Sequence, residues 1–175
     1  MRASLFNSEQ LTFKEFHLDD AKELYLLNSD PEVIKYTGDP PFDSVEHAQK
    51  FVINYDHYKK HGFGRWSTFL KSNNEFIGWC GIKLNEHGDH DLGFRFFKKH
   101  WGKGFATEAA KACLDHGFQK FGLKTIIGRA ANENLASISV LEKLGMKFYK
   151  EGSCGHFTGA KYYRISKGKL ISPPF

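Results

Sequence analysis

The stretch His100-Trp101-Gly102-Lys103-Gly104-Phe105-Ala106-Thr107-Glu108-Ala109-Ala110 holds residue types that can bind an anion. Two glycines let the backbone approach a ligand closely and open dihedrals closed to other residues. Lys103 places a positive charge between them. A helix that begins here has first-turn N–H groups with no partner inside the helix. Such an end attracts phosphate. The spacing marks a phosphate or pyrophosphate cradle formed by Gly102, Lys103, Gly104, Phe105, Ala106 and Thr107. A glycine-bearing connection without a ligand fits the same spacing, because short glycine patterns are common.

Other candidates are sparser. Asn134 precedes a run of helical spacing and fits a cap, and Ser137 stands one turn further along the same face. His57 and His61 are four apart and share a helix face, but no H-E-x-x-H pattern or third ligand accompanies them. No metal is expected. Cys80, Cys113 and Cys154 are odd in number and far apart, which favours free thiols in a reducing compartment.

These residues need elements to hold them. Leu11 to Phe16 fits a first strand, followed by a helix through Ala21 to Leu27 and a short helical piece from Pro31. Ser44 caps a helix that carries Phe51, Val52, Tyr55 and Tyr58 at helical spacing, with Gly62 and Gly64 as its stop. Three strands follow: Trp66 to Leu70, Phe76 to Leu84 and Leu92 to Phe97. The glycine stretch leads into a helix from Thr107 to Phe121. Lys124 to Ala130 is a strand, Asn134 to Leu144 a helix closed by Gly145, and Met146 to Glu151 and Lys161 to Ile165 are final strands. Gly152 to Gly159 reads as a glycine-rich loop between them. Mixed order with a three-strand meander gives an α+β class with a mixed sheet. The unit from Leu92 to Ala130 is a right-handed parallel crossover.

The chain has 175 residues, 41% hydrophobic and 26% charged, which is one globular domain's worth of core. Seventeen phenylalanines can fill that core without disulfides. A net charge of +5 favours anionic partners, but no run of five basic residues marks a nucleic-acid arm. No apolar stretch is long enough to span a membrane, and the first residues lack a signal-peptide core. A cytoplasmic protein is expected, with a single domain over 1–170 and a loose tail over 171–175.

The segment from Asp91-Leu92-Gly93-Phe94 through Trp101-Gly102-Lys103-Gly104-Phe105-Ala106-Thr107-Glu108-Ala109 resembles the acetyl-CoA-binding motif of GNAT N-acetyltransferases. Asn134-Leu135-Ala136-Ser137-Ile138-Ser139-Val140-Leu141-Glu142-Lys143-Leu144-Gly145-Met146 resembles the next motif of that family. The pair is most similar to the RimJ/RimL branch. The resemblance implies the GNAT fold: a mixed, mostly antiparallel twisted sheet with flanking helices, splayed between the strands Leu92 to Phe97 and Lys124 to Ala130. It implies acetyl-CoA as donor and an amine as acceptor, either a protein N-terminus or a small molecule. The family's pattern has Gln or Arg where this chain has Trp101, followed by Gly104 and Ala106.

By the same resemblance, Phe94, Arg95 and Phe96 offer strand backbone to the pantetheine arm and thioester. Asn134 contacts that arm or simply caps its helix. Ser137 is a candidate acid for the leaving thiolate, or a hydrogen-bonding neighbour. Leu141 stands where many relatives place a tyrosine acid. Asp91 takes the position of a glutamate and is a candidate base through water; His90, His156 and Glu75 are alternatives. Tyr36, Trp66 and the Asp39 to Asp43 loop would line an acceptor groove. A homodimer is left open. The alternative reading is a non-catalytic acyl-CoA sensor or scaffold with the same fold.

Overall fold

The structure, a computed structural model, describes residues 2–168. Strands β1 (Phe6–Asn7) and β2 (Leu11–Lys14) form a small hairpin. Helices α1 (Ala21–Ser29), α2 (Pro31–Ile34), α3 (Val45–Asn54) and α4 (His57–His61) follow. The meander β3 (Arg65–Leu70), β4 (Phe76–Leu84) and β5 (His90–Phe96) leads into the long helix α5 (Phe105–Lys120). Strand β6 (Thr125–Ala131), helix α6 (Leu135–Lys143) and the hairpin β7 (Lys147–Cys154) and β8 (Phe157–Ser166) complete the described chain. The tail expected over 171–175 lies outside the described residues.

The eight strands form one sheet in the order β1-β2-β3-β4-β5-β6-β8-β7. Every neighbouring pair is antiparallel except β5 and β6. That parallel pair is joined only at Asp91↔Ile127 and Leu92↔Gly128. Beyond Leu92 the two strands part. The expected splay therefore lies between β5 and β6, one strand number later than the family's count because β1 precedes it.

Period-two alternation sorts each strand's side chains between two faces. Leu92 and Phe96 of β5 join Trp66, Cys80, Ile82, Leu114, Ile126 and Tyr163 in the main core, which α5 and α6 cover. On the other face, α1 and α3 pack a second core over Phe69, Phe76 and Trp79. A small third cluster of Ile127, Ala160 and Tyr162 lies at the far end of that face. The middle of this second face, between the two clusters, carries charged residues. Among the described residues no helix is long and apolar enough to cross a membrane.

Two expectations need correction. The aromatic stripe Phe51, Val52, Tyr55, Tyr58 does not lie on one helix, because the chain breaks between Asn54 and His57. The break brings two phenols to the start of β3. Tyr55 Oη accepts from Arg65 N at 2.7 Å, and Tyr58 Oη donates to Arg65 O while accepting from Phe16 N at 3.0 Å. The glycine-rich segment 152–159 is not a long loop either. Gly152 pairs with Ala160 and Cys154 with Phe157, so only Gly155 and His156 make the turn. Gly155 takes a φ of 58°, which a two-residue hairpin turn requires.

Candidate active site

The cradle residues come together at the start of α5. Gly102 and Gly104 have φ of 72° and 83°, in the left-handed region that glycine alone adopts without strain. Gly104 is the N-cap residue, and no side chain caps the helix. Backbone N–H groups of residues 102–107 have no carbonyl partner among the described residues. A helix of sixteen residues thus ends in bare donors at its positive pole.

Neighbouring side chains hold this turn in place. Trp101 Nε1 donates to Phe96 O at 2.8 Å, so the indole ties the turn to the end of β5. Buried His100 and exposed Lys99 both reach Glu75 Oε1, at 3.2 and 2.6 Å. These bonds, led by that of Lys99, hold the Glu75 carboxyl down at about 2. Glu75, offered above as an alternative base, is thereby an anchor. Glu108 in the first turn of α5 accepts from Ser8 Oγ, Gln10 N and Gln10 Nε2 at 2.6, 2.7 and 2.8 Å. Its span of about 100 residues in sequence left no local signal.

Phe94, Arg95 and Phe96 pair with Cys80, Trp79 and Gly78 of β4 on one side. On the other side β6 has already departed, which leaves a free strand edge facing the wedge. The side chain of Arg95 does not face the donor side. It crosses to the second face, donating to Asn28 Oδ1 and, at 2.7 Å, to Asp39 Oδ2. Any contact of Arg95 with a pantetheine arm is therefore through backbone.

Across the wedge, Asn134 Oδ1 accepts from Ser137 N at 3.2 Å, so the asparagine does cap α6. The Ser137 side chain is half-buried and its hydroxyl bonds to no other described residue. Leu141 is buried beneath Gly128. It packs the seam between α6 and β6.

Asp91 stands at the apex of the wedge on the second face. It is 5% exposed and pairs with Arg129 of β6, whose Nε and Nη2 both donate to Oδ2, at 2.8 and 2.5 Å. Oδ1 has no partner among the described residues. Burial raises the Asp91 pKa, against the pull of Arg129, Arg65 and Lys83. Burial would lower the Arg129 guanidinium, but the charge of Asp91 and the hydrogen bonds to Tyr162, Asp91 and Glu86 together outweigh it, and its pKa rises. Arg129 also donates to Glu86 at 3.1 Å.

The other candidates separate. His90 packs against Phe63, and exposed His156 stacks on Phe157 at the tip of the last hairpin. Trp66 is not a groove residue. It is 1% exposed in the main core, with its ring edge-on to Phe6 and His116, on the opposite face from Asp91. The Asp39 loop does reach the second face, and Tyr36 lies near Phe157. Arg65 and Arg129 escaped sequence reasoning because each is a single basic residue in an apolar strand. His57 and His61 have ring centres 5.7 Å apart, and no group of three metal-ligating side chains forms among the described residues.

A twisted mixed sheet parted beside an uncapped helix start defines the acyl-CoA N-acyltransferase class. The acetyltransferase (GNAT) domain profile matches residues 10–147. An N-acetyltransferase of uncharacterised role from Bacillus licheniformis, p20, is 35% identical over 94% of this chain and 89% of its own length. The chain belongs to the GNAT acetyltransferase family. Acetyl transfer from acetyl-CoA to an amine is the activity of that class. A GNAT-family acetyltransferase from Bacillus anthracis superposes with a TM-score of 0.78 at 28% identity, covering 91% of this chain and 96% of its own. A spermidine N-acetyltransferase from Vibrio cholerae, solved with CoA and spermine, shares the fold with a TM-score of 0.78 at 21% identity, over 91% and 97% of the two chains.

Proposed function

We propose that the chain transfers acetyl from acetyl-CoA to a primary amine, a protein N-terminus or a small molecule, in a ternary complex. The observation that carries the reading is the bare amide row of residues 102–107 beside the unpaired edge of β5. The amides of Gly102, Lys103, Gly104, Phe105, Ala106 and Thr107 receive the pyrophosphate. The backbone of Phe94, Arg95 and Phe96 receives the pantetheine arm, and Asn134 closes on it from the start of α6. A backbone N–H at the β5 edge stabilises the oxyanion as charge develops.

The acceptor amine attacks the thioester carbonyl carbon, and the carbon–sulfur bond breaks. Asp91 Oδ1 takes the amine's proton through a water, while Arg129 fixes the carboxyl group through Oδ2. The raised pKa of Asp91 makes it a stronger base than a free aspartate. Ser137 gives the thiolate its proton. Positioning both substrates supplies much of the rate. The RimJ/RimL-like motifs point to N-terminal peptides, and a spermidine N(1)-acetyltransferase from Escherichia coli at 24% identity adds polyamines to the acceptors worth assaying.

Thiol release over an amine panel tests this. Ser137→Ala should lower kcat about 100-fold or more with the acetyl-CoA affinity unchanged, since the hydroxyl acts on the leaving group. Cofactor binding without turnover on any amine would instead favour a sensor or scaffold.

A further inference from the structure

The middle of the second sheet face gathers four cations and three acids: Arg65, Lys83, Arg95 and Arg129 with Asp39, Glu86 and Asp91. All three acids are engaged. Asp91 and Glu86 bind Arg129, at 2.5 and 3.1 Å, and Asp39 binds Arg95 at 2.7 Å. Arg65 and Lys83 have no carboxylate within 4.0 Å among the described residues. Both are half-buried.

Arg65 is held as a plate. Its guanidinium lies over the Trp79 ring, 4.4 Å from the centroid. Gly93 leaves it room: a Cβ there would sit 3.0 Å from Nη2 and 3.4 Å from Nε. The Arg65 Nε is buried without a hydrogen-bond partner. Its backbone is fixed by the phenols of Tyr55 and Tyr58. Stacking on tryptophan fixes a guanidinium's plane without using its donors. The Arg65 charge, with burial second, also lowers the Lys83 pKa, so the two cations stand within each other's field. Two adjacent, partly desolvated cations are an unfavourable arrangement that a bound anion relieves.

Their position matters. Gly93 is the first β5 residue past the β6 pairing, so the Arg65 guanidinium stands beside the apex of the wedge. Asp91, two residues earlier, is opposite Lys83 in register. We propose that the acceptor amine carries an anionic group, a carboxylate or phosphate within a few bonds of the nitrogen, which Arg65 and Lys83 bind. The assignment rests on the acetyl-transfer reading and narrows it. Polycationic amines meet the same two charges as repulsion. A paired guanidinium and ammonium at the apex orient the amine by its acid, which leaves the nitrogen directed at Asp91.

The test compares matched amines at saturating acetyl-CoA: glycine against glycinamide, phosphoethanolamine against ethanolamine, and spermidine. The expected kcat/KM favours each anion-bearing member at least about tenfold, the worth of one good charge-assisted contact. The carboxylate and phosphate arms identify which anion fits. Arg65→Gln should raise KM for the preferred amine and erase the preference, with acetyl-CoA affinity and melting temperature held. Arg65→Lys should restore part of it, and Lys83→Met should weaken it independently. Equal turnover of neutral or polycationic partners, or an unchanged preference in Arg65→Gln, overturns the assignment. If acetyl-CoA binds and no amine is acetylated, the transfer reading fails. Calorimetry with N-acetylglycine then reads the anion site without turnover: binding lost in Arg65→Gln supports it, and no binding to the parent protein defeats it.

Discussion

Replacing Arg129 by methionine should destabilise the fold severely, and the structure gives the size. The Asp91 and Arg129 side chains are only 7% and 10% exposed, and Arg129 makes two bonds to one carboxylate oxygen. Removing Arg129 leaves a buried carboxylate without its partner, which costs about 3–5 kcal/mol. Total stability for a domain of this kind is about 5–15 kcal/mol. With a urea slope of about 2 kcal/mol/M, the midpoint should fall by about 1.5–2.5 M.

The sign of the pH dependence follows from the stranded group. Burial already raises the Asp91 pKa, and loss of Arg129 raises it further. A carboxyl whose folded pKa lies above its unfolded value is destabilising once ionised. That cost fades as pH falls toward the unfolded value. The gap between Arg129→Met and the parent protein should therefore be wider at pH 8 than at pH 5. The double variant Asp91→Leu with Arg129→Met removes the stranded charge and should recover most of the loss. Urea titrations at both pH values measure all of this. A loss under about 1 kcal/mol, the same loss at both pH values, or a double variant no better than the single would refute the reasoning.

Two further outcomes are expected. Gly104→Val forces a β-branched residue to a φ of 83°, at a cost of about 1–2 kcal/mol. A Cβ there meets no atom within 4 Å, so the defect is conformational. Calorimetry should show acetyl-CoA affinity reduced at least about tenfold with the fold retained, and unchanged affinity would count against the cradle. The Glu75 carboxyl is held at about 2, first by Lys99 and then by His100 and Asn73. Its folded value is below its ordinary 4.5, so its contribution is present above that value and is lost as pH falls toward 2. Because the pair is solvent-screened, Glu75→Gln should cost at most about 1 kcal/mol at pH 7 and flatten the acid limb of the melting curve.

The turn at Gly102 and Gly104 was legible because its glycines are required by backbone angles, which are local. The strands were legible because their alternation continues over several residues, as in Phe76 to Leu84. The helix break after Asn54 was not, since its cause is a pair of phenols reaching the backbone of Arg65. A helical stripe looks continuous when the reason to interrupt it lies elsewhere in the fold. Trp66 read as a groove aromatic, yet one step of strand register sends it into the core and Arg65 to the second face. The Asp91–Arg129 pair spans 38 positions and two strands, so nothing near either residue announces it. Type and approximate place were available for Asp91; its partner was not.

The narrow join between β5 and β6 has a mechanical consequence. Beneath it, on the α5 and α6 side, the main core runs unbroken from Trp66 through Leu92 and Ile126 to Tyr163. Above it, on the charged side, the two strands are bridged by the Asp91–Arg129 ion pair. A bending sheet with one stiff face and one latched face pivots about the stiff one. Bending would therefore change the width of the charged mouth far more than the packing under α5. The same two side chains proposed to handle the amine's proton would also set how far that mouth opens.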